Sequence, residues 1–175
     1  MEEKTKPNLA DIKLLVLDVD GVLTDGRMVV NADGTESKFF NSQDGHGIRL
    51  WRRAGLKVAF ISGSHSQATE YRAKKLEVDY VFQECHYKLP VLQKLLNQIG
   101  LSPRQVACLG DDLPDLPMIR FVGFGAAVAN AVDEVKQNAH YVTTRPGGHG
   151  AVREVIEHIL KNTGRWQKLM KRYLP

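Results

Sequence analysis

The chain has 175 residues, is 43% hydrophobic and 25% charged, and carries a net charge of +4. That length suits one compact domain and is too short for two comfortable ones, so residues 1–175 are read as a single domain. No apolar run approaches a membrane span, and two isolated cysteines, Cys85 and Cys108, give neither a disulfide framework nor a zinc pattern. The start, "MEEKTKPNLADIK", is polar and lacks an apolar signal core, which predicts a cytoplasmic protein. Positive charge gathers in the tail "GRWQKLMKRYLP"; without a nucleic-acid motif it points to an anionic metabolite as ligand, with no nucleic acid and no membrane.

Short apolar runs alternate with amphipathic stretches. "KLLVLDV" is the first predicted strand. "RMVVNADGTESKFF" reads as two extended runs around Asp33-Gly34, a hairpin signal, placing an insert at about 27–40. "DGHGIRLWRRAG" fits a helix capped by Asp44 and ended by Gly55, with Trp51 facing the core. A strand "KVAFISG", a helix "SQATEYRAKKLE" and a strand "DYVFQE" follow, then a helix "LPVLQKLLNQIG" and a strand "VACLGDD". "DLPMIRFV" is a short helix, "GFGAAVA" a strand, "AVDEVKQNA" a helix and "HYVTT" a last strand. "GAVREVIEHILKNTG" is the final helix; residues 1–10 and 163–175 are expected to be the mobile ends, with Trp166 and Tyr173 free to dock on the domain or on a partner subunit.

This alternation predicts a three-layer α/β fold, a Rossmann-like parallel sheet with helices on both faces. Ligands of such sheets bind beyond the carboxyl ends of the strands. Those ends carry Asp18 and Asp20, then Ser62 and Gly63, then Lys88, then Asp111 and Asp112. Acidic positions gathered there suit a hard cation with oxygen ligands, Mg²⁺ above all. A carboxylate beside a metal can attack phosphorus, and a second carboxyl two residues on can protonate the leaving oxygen and later activate water. Ser62 and Lys88 offer a hydroxyl and a fixed cation for phosphoryl oxygens, and Gly21 and Gly63 leave room for backbone N–H groups. Each piece alone has a plainer reading: a turn acid, a cap, a surface lysine. The histidines flanking these loops, His46, His65 and His86, read as solvent residues. The order acid pair, Ser-Gly, Lys, Gly-Asp-Asp, each after its own strand, is what points to chemistry.

That order resembles the haloacid dehalogenase superfamily of aspartyl-phosphate phosphatases, with "LDVDGVLTDG", "ISGS", "YK" and "LGDDLPD" standing as its four motifs. Over roughly residues 11–160 the chain is also similar to the small phosphatases of 3-deoxy-D-manno-octulosonate 8-phosphate, through "DGVLTDG", the hairpin, "DGHGI", "GDDLPD" and "GGHGAVRE". The resemblance implies Asp18 as nucleophile and Asp20 as general acid/base, with the Asp20 main-chain carbonyl on the metal. It implies Asp111 as the third metal position, and Asp112 and Asp115 as partners of metal-bound water. It also implies Ser62, Gly63 and Lys88 as the phosphoryl cradle, and Arg72, Gly147 and Gly148 at the sugar acid. Ser64 and His149 stand where the subgroup usually has arginine, and a relative acting on a nine-carbon sugar acid phosphate carries Glu at the Ser64 position. Ser64 matches neither pattern, so a nine-carbon 9-phosphate or another small phosphate ester stands as the alternative substrate, and a phospho-receiver or retired regulatory subunit as the alternative class. No gap between motifs is long enough for a cap domain with its own core. A lone hairpin is marginal in water, so Met28, Val29, Val30, Phe39 and Phe40 are expected to pair with other copies in a homo-oligomer, a tetramer as in the resembled subgroup.

Overall fold

A computed structural model describes residues 7–174. The first strand, β1 (Leu14–Leu17), is buried at every residue, and such a continuous apolar run belongs to a sheet covered on both faces. Strands β2 (Val29–Val30) and β3 (Glu36–Ser37) pair antiparallel, with Asn31 N–H donating to Thr35 O at 2.8 Å across the turn. Then come helix α1 (Ser42–Arg53), β4 (Lys57–Ile61), α2 (Gln67–Leu76), β5 (Tyr80–Phe82), α3 (Lys88–Ile99), β6 (Val106–Gly110), α4 (Leu116–Phe121), β7 (Phe124–Ala127), α5 (Asp133–Asn138), β8 (Tyr141–Val142), α6 (Ala151–Asn162) and α7 (Arg165–Met170).

The main sheet is parallel throughout, in the order β5-β4-β1-β6-β7-β8. The chain builds outward from β1 through β4 to β5, then crosses back through α3 to β6 on the other side of β1. The carboxyl end of β1 is thus the switch point where strand order reverses, the usual crevice for ligands in open α/β sheets. Register brings the strand ends level: Leu17 pairs with Phe60 of β4 and Leu109 of β6. Helix α1 packs on α2 and α6, and α4 packs on α3 and α5. The expected three-layer fold with a small hairpin is the one observed, and the described residues hold no cap domain. No described helix is long and apolar enough to cross a membrane.

Two expectations change. Asn41, not Asp44, caps α1: its side chain accepts from Gln43 N–H at 2.7 Å and Asp44 N–H at 3.3 Å. The helix begins before Asp44, which is buried and instead accepts from Gly150 N–H at 3.1 Å and Arg153 N–H at 2.8 Å, at the start of α6. The tail is also not loose within the described residues. Trp166 of α7 lies 5.0 Å from the Lys161 ammonium and 5.6 Å from the Arg153 guanidinium, and Tyr173 OH accepts from Arg53 at 2.7 Å. These cation–aromatic and hydrogen-bond contacts dock it on its own domain. Residues 1–6 and 175 of the expected mobile ends lie outside the described residues. Trp51 is buried as expected, with its indole N–H on Lys57 O at 2.7 Å.

Candidate active site

The site grows from the end of β1. Asp18 N–H still donates to Leu109 O at 3.2 Å, so the residue leaves the sheet only after its backbone is fixed, and its side chain is buried at the switch point. Lys88 opens α3 from the loop after β5. Its ammonium donates to Asp18 Oδ1 at 2.6 Å and to Asp115 Oδ1 at 2.7 Å, with all three side chains 6% exposed or less. The other oxygen of Asp115 accepts from Asp111 N–H at 3.0 Å. Asp115 therefore has both oxygens engaged and ties Lys88 to the backbone after β6.

Asp18, Asp111 and Asp115 each offer a carboxylate oxygen within 4.8 Å of the others. One ammonium faces three acids, so the cluster is short of positive charge. Burial first, then Asp115, pushes the Asp18 carboxyl well above its ordinary value against the pull of Lys88. Burial and Asp115 likewise push Asp111 up to about 7. Burial alone would lower Lys88, but Asp18 and Asp115 outweigh it and hold the ammonium above its usual range. A hard divalent cation fits this donor set: carboxylate oxygens, two of them disfavoured as lone anions, beside a shared excess of negative charge.

Around this core the loop 18–25 is held from two sides. Gly21 has φ +94°, and a Cβ there would sit 2.0 Å from Asp111 Oδ2, so only glycine lets the loop pass the acid. Gly147 lies beneath it, where a Cβ would be 1.7 Å from Gly21 O, and Gly148 N–H donates to Val22 O at 2.9 Å. The pair expected at the sugar acid is thus packed against the backbone of the Asp18–Asp20 loop. Ser62 is buried, its Oγ accepting from Ser64 N–H at 3.3 Å. At Gly63 a Cβ would meet nothing nearer than Cys85 O at 4.0 Å, so this turn borders open space.

Other expected residues sit apart. Asp112 is exposed and accepts from Leu113 N–H at 2.7 Å, capping a short 3-10 turn. Arg72 donates to Asn41 O at 3.1 Å and lies 5.4 Å over the Phe40 ring, beside α1 and not in the acid cluster. Clefts of about 400 Å³ and 430 Å³ lie along α6 and between α1 and α2; neither is lined by Asp18, Lys88 or Asp111. One residue at the site is not legible in the sequence. Lys38, just past the hairpin, sends its ammonium to Asp20 Oδ1, and its side chain is only 4% exposed. No sequence pattern marks it: Lys38 and Phe40 turn inward while the apolar Phe39 between them is exposed.

Comparison with known proteins decides the family. The haloacid dehalogenase-like hydrolase profile matches residues 81–156. The 3-deoxy-D-manno-octulosonate 8-phosphate phosphatase of Yersinia pestis is 43% identical over 151 residues, 86% of this chain and 81% of that protein. The chain belongs to the haloacid dehalogenase-like hydrolases. Among solved structures, a probable YrbI family phosphatase from Pseudomonas syringae pv. phaseolica 1448a superposes with a TM-score of 0.94 at 49% identity, covering 95% of both chains. The 3-deoxy-D-manno-octulosonate 8-phosphate phosphatase of Moraxella catarrhalis, solved with magnesium, phosphate and its sugar acid, gives a TM-score of 0.92 at 39% identity, covering 94% of this chain and 95% of that one. This hydrolase carries its acid cluster at one edge of a parallel sheet, with a two-stranded hairpin between β1 and α1.

Proposed function

We propose that the protein is a Mg²⁺-dependent phosphomonoesterase that hydrolyses 3-deoxy-D-manno-octulosonate 8-phosphate, a step in making a lipopolysaccharide precursor. The observation that carries this reading is the Lys88-braced cluster of Asp18, Asp111 and Asp115 at the switch point. Likeness over most of their length to phosphatases of that sugar acid adds the substrate class. Asp18, Asp111 and the main-chain carbonyl of Asp20 would hold the metal, whose charge offsets repulsion between the Asp18 carboxylate and the phosphate.

Asp18 attacks phosphorus and becomes an aspartyl-phosphate. Asp20, two residues on and only partly buried, gives its proton to the departing sugar oxygen. It then takes a proton from the water that releases phosphate. Lys88 and Ser62 hold phosphoryl oxygens, Gly63 supplies the open backbone beside them, and Asp115 keeps Lys88 aimed. Asp112 would reach the metal only through water. Arg72, Gly147 and Gly148 are assigned to the sugar-acid side; the two glycines act there by fixing the loop they pack against. A phospho-receiver would use a similar acid cluster, but it has no use for a second carboxyl at the mouth of the site.

The whole chain, 1–175, is taken as one catalytic domain acting in the cytoplasm as a homotetramer. Support for self-association comes from the hairpin, where Met28, Val30 and Phe39 are 58%, 64% and 68% exposed. Phe40 is excepted, since it packs on its own domain under Arg72. Light scattering at micromolar protein should show an oligomer that the change of Met28, Val30 and Phe39 together to Ser breaks apart. A monomer with full activity at every dilution would contradict the assembly. For the reaction, kcat/KM should be compared for the octulosonate 8-phosphate, a nine-carbon keto-deoxy 9-phosphate and glucose 6-phosphate, with Mg²⁺ present. The eight-carbon acid should lead. Equal values for glucose 6-phosphate would defeat the substrate reading, and a nine-carbon lead would transfer it to the alternative that Ser64 leaves open.

A further inference from the structure

Lys38 has no place in the four motifs, yet its side chain is almost wholly buried and its ammonium is spent on Asp20. Burying a lysine is costly unless the charge is paired and hydrogen-bonded. The partner here is 18 positions away in sequence, in the loop that also carries Asp18. Only Oδ1 of Asp20 is taken; among the described residues no hydrogen bond engages Oδ2. The backbone around Lys38 is fixed on both sides. Before it, β3 is paired with β2. After it, Phe40 lies under Arg72 and Asn41 caps α1. The ammonium is therefore delivered from a braced segment to one oxygen of a carboxyl that is itself 26% exposed and otherwise free to rotate.

We infer that Lys38 is a positioning residue for Asp20: by holding Oδ1 it fixes the carboxyl so that Oδ2 faces the leaving oxygen of the substrate. This rests on the phosphatase reading above and adds a working role for the hairpin segment, which thereby reaches the chemistry as well as the surface. In the first half-reaction the bond from phosphorus to the sugar oxygen breaks as the bond to Asp18 forms, and the leaving oxygen takes the proton of Asp20. A carboxyl free to swing would spend less of its time within hydrogen-bond reach of that oxygen. Lys38 touches no reacting atom; it acts through Asp20.

The test uses leaving groups. A sugar phosphate leaves as a strongly basic alkoxide and needs the proton, whereas p-nitrophenyl phosphate leaves as a stabilised phenolate and does not. Lys38→Met should lower kcat/KM, which reports only the steps up to formation of the aspartyl-phosphate, about 10-fold or more for the octulosonate 8-phosphate, within the roughly 10²–10⁴-fold worth of general acid help, while changing kcat/KM for p-nitrophenyl phosphate less than about 3-fold. Lys38→Arg should recover part of the loss. Lys38→Gln, which keeps a donor without charge, gives the same comparison should the Met variant not fold. An equal loss on both substrates, or no loss on either, overturns the inference and leaves the phosphatase reading standing. If wild-type protein hydrolyses p-nitrophenyl phosphate but not the octulosonate ester, the substrate assignment fails, and the comparison is made on whichever sugar phosphate it does hydrolyse. No turnover of any ester by the wild type overturns both.

Discussion

Replacing Lys88 by methionine removes the only cation within hydrogen-bond reach of Asp18 and Asp115 among the described residues, at 2.6 Å and 2.7 Å, and leaves a side chain of similar length. Breaking a buried pair by taking one partner away typically costs about 3–5 kcal/mol, because the remaining charge stays buried. For a chain of this size roughly 2–4 °C of melting temperature follows each kcal/mol, so the metal-free variant should melt about 6–20 °C lower near pH 8. The loss should depend on pH in a defined direction. Burial and Asp115 already raise Asp18 well above its ordinary value, and loss of the ammonium raises it further. A raised carboxyl in the folded state keeps a proton that the unfolded chain releases, so stability falls as pH climbs above the unfolded value of about 3.9 and keeps falling until the folded carboxyl ionises. At pH 4–5 the variant should therefore lie close to the wild type. Thermal denaturation from pH 4 to 9, without metal, reads this directly. A deficit that stays the same at every pH, or one under about 1 kcal/mol at pH 8, would refute the electrostatic account and leave Lys88 a packing residue.

Four further outcomes are expected. Mg²⁺ affinity by calorimetry should rise with pH through the region near 7, since Asp111, held at about 7 by burial and Asp115, and Asp18, also raised by burial, must lose their protons to bind; a flat profile would contradict this. Asp18→Asn should abolish turnover yet leave metal-free melting unchanged or higher, because it removes a carboxylate that burial disfavours; normal turnover would remove the nucleophile role. Gly147→Ala should cut kcat at least about 10-fold with folded protein by circular dichroism, because its Cβ would displace the Gly21 carbonyl and with it the Asp18–Asp20 loop; unchanged kcat would show the loop tolerates the shift. Asp44→Ala should cost about 0.5–2 kcal/mol in urea unfolding as the start of α6 loses its acceptor, and Asp44→Asn less, whereas equal loss in both would point to charge and not capping.

Much of the site is legible in sequence for a physical reason. In a parallel sheet each strand delivers its last residues to one edge, so Asp18, Ser62, Lys88 and Asp111 can be gathered by reading four short segments in order. Lys88 is found because it follows a strand; that it bridges two acids is not readable, since Asp115 lies 27 residues on and enters through a 3-10 turn. Asp44 reads as a helix cap because a cap is a local pattern, whereas the groups it satisfies, at Gly150 and Arg153, are more than a hundred residues away. Lys38 is not legible because a three-residue extended segment gives too short an alternation to separate inward from outward. The tail, polar and basic, reads as loose; its packing depends on cation–aromatic contacts with α6 that no local pattern announces.

The most direct test of the site's chemistry is to trap the enzyme during turnover. Protein mixed with the octulosonate 8-phosphate and Mg²⁺, quenched in acid and digested, should yield a phosphorylated peptide containing Asp18, absent in Asp18→Asn and enriched in Asp20→Asn, where release to water is slowed. Rapid phosphate release with no phosphorylated peptide at any quench time, in either the wild type or Asp20→Asn, would contradict the assignment of Asp18 as the nucleophile.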